Sequence, residues 1–204
     1  MLQGQSFESE WNLINRELDS GKVRSAETLI RGLYTKAGMQ KHSPTKLKCI
    51  LHLSVLTGNA GEPDDRNIIQ SIVRYSDSVE TKPEKALMNI YLAQALRNYY
   101  HYHLEEIRKR SFEEYPLDDY LSVMYWTETQ FLKAISSLIN SSLDNSGLLL
   151  SIPARSYVEL LNVKESSDKY RPTLYDIIAH AGIALYESLE QDISNSYRPI
   201  CKDP

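Results

Sequence analysis

The chain has 204 residues, of which 42% are hydrophobic and 25% charged, and a formal charge of −4. This composition is typical of a globular chain, and the length suits one domain or at most two. Eight glycines and eight prolines are few for this length. Their scarcity argues against a strand-rich sandwich that turns every ten residues.

Neither the cysteines nor the apolar runs indicate a disulfide-rich, metal-clustered or membrane-spanning chain. Cys49 and Cys201 are too few and too far apart for a disulfide framework or metal cluster, and we expect Cys49 to be a small buried residue. No apolar run approaches the roughly 20 residues of a membrane span, so we expect no membrane insertion. Residues 1–5 lack the regions of a signal peptide, which predicts a cytoplasmic protein if the chain is complete.

Apolar residues recur at helical spacing along most of the chain and predict about seven main helices. Gly21, Gly38 and Gly58 mark the ends of the first three helices, while Pro44 and Pro83 lie near the starts of the third and fifth. The predicted spans are 7–18, 26–37, 43–55, 62–79, 83–109, 121–139 and 174–189.

The fifth helix is predicted to be the central element of the fold. Between Leu87 and Leu96 it is apolar almost all round, and a helix of that kind is covered on several sides. Beyond Leu96 its character changes to a run of tyrosines and histidines, 99–103.

Helices of this length joined by short turns predict an all-α fold of antiparallel helical hairpins, stacked as a tetratricopeptide-like right-handed superhelix. Residues 7–37 resemble one such hairpin, with the small Ala26 where its second helix must approach closely. The chain has no clean 34-residue period, so the repeat is degenerate. We expect an N-terminal tail over 1–6, a single helical-repeat-like domain over 7–191 and a C-terminal tail over 192–204.

Residues 20–60 are locally basic, and within them the only acid is Glu27. No aromatic stacking platform accompanies the basic residues, so we interpret the segment as a solvated helix face and expect no nucleic-acid partner. The basic residues concerned are Lys22, Arg24, Arg31, Lys36, Lys41, Lys46 and Lys48.

No set of residues assembles a nucleophile, a base and an orienting group, so we expect no enzymatic activity and no cofactor. His101 and His103 diverge by about 200° on a helix, which predicts that they do not share a metal ion. Asp176 and His180 are four residues apart, and we expect them to form an ion pair at the start of the last helix.

The start of that helix is the most specific motif in the chain. In the stretch from Arg171 to His180, Pro172 sets the helix entry and Thr173 is spaced to cap together with Asp176. This block resembles an R-P-T-L-Y-D-x-x-A-H segment in the N-terminal helical region of Bacteroidota-type bacterial alpha-2-macroglobulin family proteins. Weaker matches in the same order begin at Trp11 and Gly21, at Ala86, at Trp126, at Ile152-Pro153, and at Tyr157.

The resemblance implies a helical scaffold in the periplasm or cell envelope, taken from a protein of the protease-inhibitor class. It implies protein partners, either downstream domains of the same polypeptide or another envelope protein. The thioester motif that some family members carry is absent, since neither Cys49 nor Cys201 has its C-x-E-Q context. An open alternative is a free-standing helical-repeat adaptor or nutrient-binding module of a gut bacterium.

A cluster of aromatic residues and one histidine on the fifth helix is our candidate protein-interaction surface. Tyrosine and histidine bunched on the outer half of a helix suit an interface, although packing in the core is the competing interpretation. The residues are Tyr99, Tyr100, Tyr102 and His103.

Overall fold

The structure is a computed structural model that describes residues 7–56, 65–79, 81–110, 115–157, 160 and 170–196. Every regular element within these ranges is helical, which confirms the all-α prediction. The predicted tail over 1–6, the predicted helix end at Gly58 and the whole of 197–204 lie outside the described residues.

The first half of the chain forms five helices in sequence. Each of α2 to α5 packs against the helix before it. Their bounds are Glu8–Asp19 for α1, Val23–Met39 for α2, Ser43–Leu56 for α3, Asp65–Ser76 for α4 and Lys82–Tyr102 for α5.

The second half contains two long helices and several short ones. The described elements are α6 over Leu104–Ile107, a 3₁₀ turn over Tyr120–Tyr125, α7 over Glu128–Leu143, α8 over Ser146–Leu150, a second 3₁₀ turn over Ala154–Tyr157, and α9 over Leu174–Ser196. Helix α5 packs against α4, α7 and α9, so its predicted central position is confirmed.

Helices α1 and α2 both end close to the predicted glycines. Gly21 has a φ of +69°, and the amide of Lys22 donates to the Glu17 carbonyl at 2.9 Å, so α1 ends at the predicted glycine. Helix α2 ends at Met39, one residue past Gly38, and Lys41 takes the left-handed conformation with a φ of +54°. A lysine here occupies the position that usually selects glycine.

The predicted fifth and sixth helices are both shorter than expected. Helix α5 ends at Tyr102, and the chain turns at His103. The short helix α6 follows, and its last residue, Ile107, is buried. The sixth predicted helix divides at Thr127, whose side chain forms a capping box with Gln130 at the start of α7. As a result Leu121, the first residue of the sixth predicted helix, is exposed in the preceding turn.

The last helix is longer than predicted. Helix α9 continues past residue 191, where we placed the end of the domain, so residues 192–196 are helical and are not a tail. The physical reason is Asp192, whose buried carboxylate bonds to side chains of α5. The predicted apolar stripe of this helix is confirmed by its buried members, which are Leu174, Ile178, Leu185 and Leu189.

The buried apolar residues form two clusters. The main core surrounds α5 and includes side chains from α3, α4, α7 and α9. The N-terminal core lies between α1, α2 and α3 and consists of Phe7, Trp11, Ile14, Ile30, Leu33, Ala37, Cys49 and Leu53. Cys49 is buried, as predicted, and forms no disulfide, whereas Val55 of the same helix is half exposed.

Candidate functional site

The end of α5 carries the four residues of the candidate interaction surface, and the structure divides them. Tyr99 and Tyr100 are buried, Tyr100 completely. Tyr102 is 73% exposed, and His103 is half-buried. Tyr99 and Tyr100 are therefore core residues that no partner can reach, which corrects their assignment. Tyr102 and His103 remain as the candidate surface.

Tyr99 and Tyr100 belong to an aromatic cluster between α5 and α7. The Tyr99 ring stacks on Phe131 with centroids 5.7 Å apart, and Tyr100 lies 5.9 Å from the same ring. Trp126 also packs edge-on against Phe131, with ring centroids 5.5 Å apart. Tyr99 and Tyr100 are consecutive, yet both face the core, because α7 packs along a line that passes between them on the surface of α5.

The hydroxyl of Tyr100 belongs to a partly buried polar network. It donates to Glu128 Oε1 at 2.6 Å, and Arg108 Nη2 donates to the same oxygen at 3.3 Å. Burial, followed by this bond to a carboxylate, holds the pKa of the Tyr100 phenol well above its ordinary value. The hydroxyl thus acts as a structural donor and is poorly suited to proton transfer.

On the other side of α5, a carboxylate of α9 joins two side chains. Arg97 Nη2 donates to Asp192 Oδ2 at 3.0 Å, and His101 Nδ1 lies 2.7 Å from Asp192 Oδ1. The Asp192 side chain is 6% exposed, whereas the His101 ring is about half exposed. This cluster fastens the end of α9 to α5.

An imidazole held by a buried carboxylate also occurs in metal ligands and catalytic bases. His101 is turned towards α9, while the His103 ring packs against Tyr99 at 4.4 Å, so the two histidines face different neighbours. Among the described residues, no group of three or more His, Cys, Asp and Glu side chains could hold a metal ion. The contacts of Asp192 with Arg97 and His101 therefore support a structural role, in which they join α9 to α5.

Our sequence analysis missed Asp192, although a signal was available. Asp192 continues the apolar stripe of α9, three residues after Leu189 and seven after Leu185. A carboxylate at a buried helix position requires a cationic partner, and Arg97 of the central helix α5 provides it.

The motif from Arg171 to His180 begins α9 as predicted. Thr173 donates to Asp176 Oδ2 through its amide at 3.0 Å and its hydroxyl at 2.6 Å, and the Asp176 amide donates back to the Thr173 hydroxyl at 3.3 Å. This capping box directs the carboxylate to Thr173, whereas the expected partner, His180, is exposed. The expected ion pair is therefore replaced by the cap.

The same motif is joined to the segment around Pro153. The amide of Ala154 donates to the Pro172 carbonyl, and the amide of Leu174 donates to the Ile152 carbonyl, both at 2.9 Å. Two of the segments that carried the family resemblance thus contact each other directly through their backbones. Their role here is to position the start of α9.

Two basic residues of α2 have acidic partners nearby. Lys36 forms an ion pair with Glu10, and Arg31 Nη2 lies 2.7 Å from Glu27 Oε1. Hydrogen bonds from Lys36 and Ser9 lower the pKa of Glu10 to about 2. The acids of α1 and α2 therefore offset part of the positive charge that the sequence concentrates here.

Lysines of α2 and α3 also cover aromatic rings. Lys48 Nζ lies 4.2 Å from the centroid of the Trp11 ring, and Lys46 Nζ lies 5.7 Å from that of Tyr34. Such contacts place aliphatic stems over apolar surface while the ammonium remains at the rim. The pattern supports the interpretation of this segment as a solvated helix face.

A groove of about 270 Å³ lies between α1 and α2. Its lining is mostly apolar and includes Leu13, Leu29 and Leu33, and Gly32 leaves open space beside it. At one end Glu10 and Lys36 are paired with each other. The groove therefore suits an apolar group.

No protein-family model, curated protein or solved structure matches the chain. Within the described ranges, none of the helices combines the length and the apolar character that crossing a membrane requires.

Proposed function

We propose that this chain is a non-catalytic helical scaffold and protein-interaction domain, similar to the N-terminal region of a large bacterial alpha-2-macroglobulin-like envelope protein. The observation that carries the proposal is the docking of the segment from Arg171 to His180 against Ile152-Pro153. Four residues of that segment have architectural roles: Pro172 accepts a backbone bond, Thr173 and Asp176 cap the helix, and Leu174 is buried.

The scaffold is proposed to be a degenerate tetratricopeptide-like right-handed stack. Helices α1 and α2 form one hairpin and α3 and α4 the next, and each helix packs on its predecessor. The first helices of the two hairpins also touch, since the Trp11 ring lies 4.9 Å from the His52 ring. Contacts of this kind between successive hairpins are typical of helical repeats. Helix α9 departs from a simple stack, because it packs across α5, α7 and α8.

The non-catalytic part of the proposal rests on the roles of the polar clusters. Glu128 and Asp192 each join the central helix to one neighbour, and the Cys49 thiol is buried. Burial raises the pKa of that thiol to about 12, so Cys49 is a poor nucleophile in the folded protein. These groups stabilise the helix assembly.

The proposed partner is a protein, either the downstream domains of the same polypeptide or another envelope protein, in the periplasm or at the cell envelope. The proposed contact surface is Tyr102 with His103, at the end of the central helix. A large exposed aromatic side chain is a typical anchor for a protein interface.

The proposal is tested first by whether the natural reading frame continues past Pro204 into long β-rich sequence. If it does, the purified chain is titrated calorimetrically with the separately expressed downstream domains. We expect stoichiometric binding that Tyr102→Ala weakens and that Tyr125→Ala, a change of another exposed tyrosine, leaves unchanged. A short independent reading frame, or the absence of binding, would contradict the proposal.

The alternative is a free-standing helical-repeat adaptor or nutrient-binding module of a gut bacterium, and the groove between α1 and α2 favours it. NMR titration with a small apolar probe such as indole would shift the amide signals of Leu29 and Gly32 under this alternative. Gly32→Leu fills open space and should abolish those shifts. Unchanged spectra would remove the support that the groove gives.

A further inference from the structure

The two apolar cores divide the chain at α3. Leu47 and Ile50 on one side of this helix belong to the main core, whereas Cys49 and Leu53 belong to the N-terminal core. Helices α1 and α2, together with Phe7 just before α1, supply all other buried residues of the N-terminal core in the part of the chain that the structure describes. The first hairpin therefore covers one side of a helix whose other side is anchored elsewhere.

Several polar contacts of the hairpin lie inside it. Lys36 of α2 pairs with Glu10 of α1, and Lys22 in the turn pairs with Glu17 of α1 at 3.8 Å. Opening of the hairpin away from α3 would leave both pairs intact.

The contacts that join the hairpin to the rest of the chain are mainly apolar and aromatic. They include Trp11 against His52 and Lys48 of α3, and Tyr34 against Tyr75 of α4, with ring centroids 6.3 Å apart in the last case. The N-terminal core, to which these contacts belong, has far fewer buried residues than the main core. Because stability varies across a structure in contiguous cooperative units, the smaller cluster marks the weaker unit.

We propose that the α1–α2 hairpin opens as a unit while α3 to α9 stay folded, so that the face of α3 bearing Cys49 and Leu53 becomes accessible. The hairpin is thus a movable cover built into the first repeat. This inference is independent of the proposed function, because it concerns only the division of the core.

The chain carries natural reporters for this opening. Cys49 is completely buried in the N-terminal core, so a thiol reagent reaches it only when the cover is open. All proteins used in the labelling experiment also carry Cys201→Ser, so that Cys49 is the single thiol. Trp11 lies in the N-terminal core and Trp126 in the main core, so each tryptophan reports one cluster.

The first experiment compares two conservative variants of the full chain in native buffer. Ile14→Val trims the N-terminal core and Ile135→Val trims the main core, and both side chains are almost completely buried. We expect Ile14→Val to speed the labelling of Cys49 by a disulfide reagent roughly fivefold, the factor that follows from a typical Ile→Val loss. Ile135→Val should leave the rate unchanged. Equal acceleration by the two variants would mean that Cys49 is exposed only by global unfolding, and would overturn the proposal.

The second experiment follows denaturation with single-tryptophan chains, Trp126→Phe to observe Trp11 and Trp11→Phe to observe Trp126. In the Trp126→Phe variant, we expect the fluorescence of Trp11 to change at a lower denaturant concentration than the far-UV circular dichroism signal, which reports total helix content. The Trp126 signal should follow the main loss of helicity. Coincident transitions for both tryptophans would show a single cooperative unit and would overturn the proposal. This result does not depend on whether Ile14→Val and Ile135→Val of the first experiment fold.

Discussion

Gly182 of α9 lies directly against Ile139 of α7, and a Cβ added at position 182 would be 2.9 Å from the Ile139 Cγ2 atom. The Ile139 side chain is 2% exposed, and its branched Cβ restricts rotation away from a new methyl group. Glycine is therefore required here for the close approach of two helices.

We predict that Gly182→Ala destabilises the protein by about 1–3 kcal/mol, the cost of overpacking a filled core. Gly38→Ala is the matched control, because Gly38 is also helical but a Cβ there meets no atom within 4 Å. That change should stabilise the protein by about 1 kcal/mol through helix propensity. Urea denaturation of the two variants gives the comparison, and stabilisation by both would contradict the contact with Ile139.

The helix ends provide a second matched pair. Lys41 has a φ of +54°, a conformation that costs an L-residue about 1 kcal/mol or more, so Lys41→Gly should raise the free energy of unfolding by roughly 0.5–1 kcal/mol. Gly21 has a φ of +69°, and Gly21→Ala should lower it by about 1 kcal/mol. Thermal and urea unfolding measure both effects. A loss of stability in Lys41→Gly would show that the lysine side chain contributes more than its backbone conformation costs.

Local signals allowed much of the fold to be predicted. The caps at Gly21 and at Thr173 with Asp176 depend on residues within a few positions of each other, so the sequence contains the whole interaction. Similarly, the all-round apolar stretch of α5 required a central position, since each of its faces needed a neighbour.

The candidate surface could not be resolved in the same way. Tyr99, Tyr100 and Tyr102 have the same chemistry, and only the direction from which α7 packs decides that the first two are buried. That direction depends on contacts about 30 residues away in the chain.

The division of the sixth predicted helix at Thr127 was predictable, because the spacing of Thr127 and Gln130 in the sequence is that of a capping box. We predicted one continuous helix because the apolar residues keep their helical spacing across Thr127.

The ion pair between Glu10 and Lys36 predicts an acid-sensitive first hairpin. The folded-state pKa of Glu10 is lowered to about 2 from an ordinary value of 4.5, chiefly by the hydrogen bond from Lys36. Its stabilising contribution is therefore present above about pH 4.5 and is lost as the pH falls towards 2. Thermal melts at about pH 5 and about pH 2.5 should show a smaller acid-induced drop for Glu10→Gln than for the unmodified chain. Equal drops would contradict a role for this carboxylate.

Asp192 should be the most sensitive acid on α9. Asp192→Asn leaves Arg97, which is mostly buried, without its countercharge, and we expect a loss of about 3 kcal/mol. Glu190→Gln, an exposed change on the same helix, should stay within about 0.5 kcal/mol of the unmodified chain. Urea denaturation separates the two outcomes. If Asp192→Asn were as mild as Glu190→Gln, the link between α5 and α9 would not contribute to stability.

The three tyrosines of α5 test the boundary between core and surface. Tyr99→Ala and Tyr100→Ala empty packed aromatic sites, so each should cost about 3–5 kcal/mol of unfolding free energy. Tyr102→Ala removes a side chain that is 73% exposed and should change stability by no more than about 0.5 kcal/mol. Thermal melts of the three single variants provide the measurement, and Tyr102→Ala is then the variant in which a loss of partner binding cannot be attributed to unfolding. A large loss of stability in Tyr102→Ala would instead place this residue in the core and remove the anchor of the proposed interaction surface.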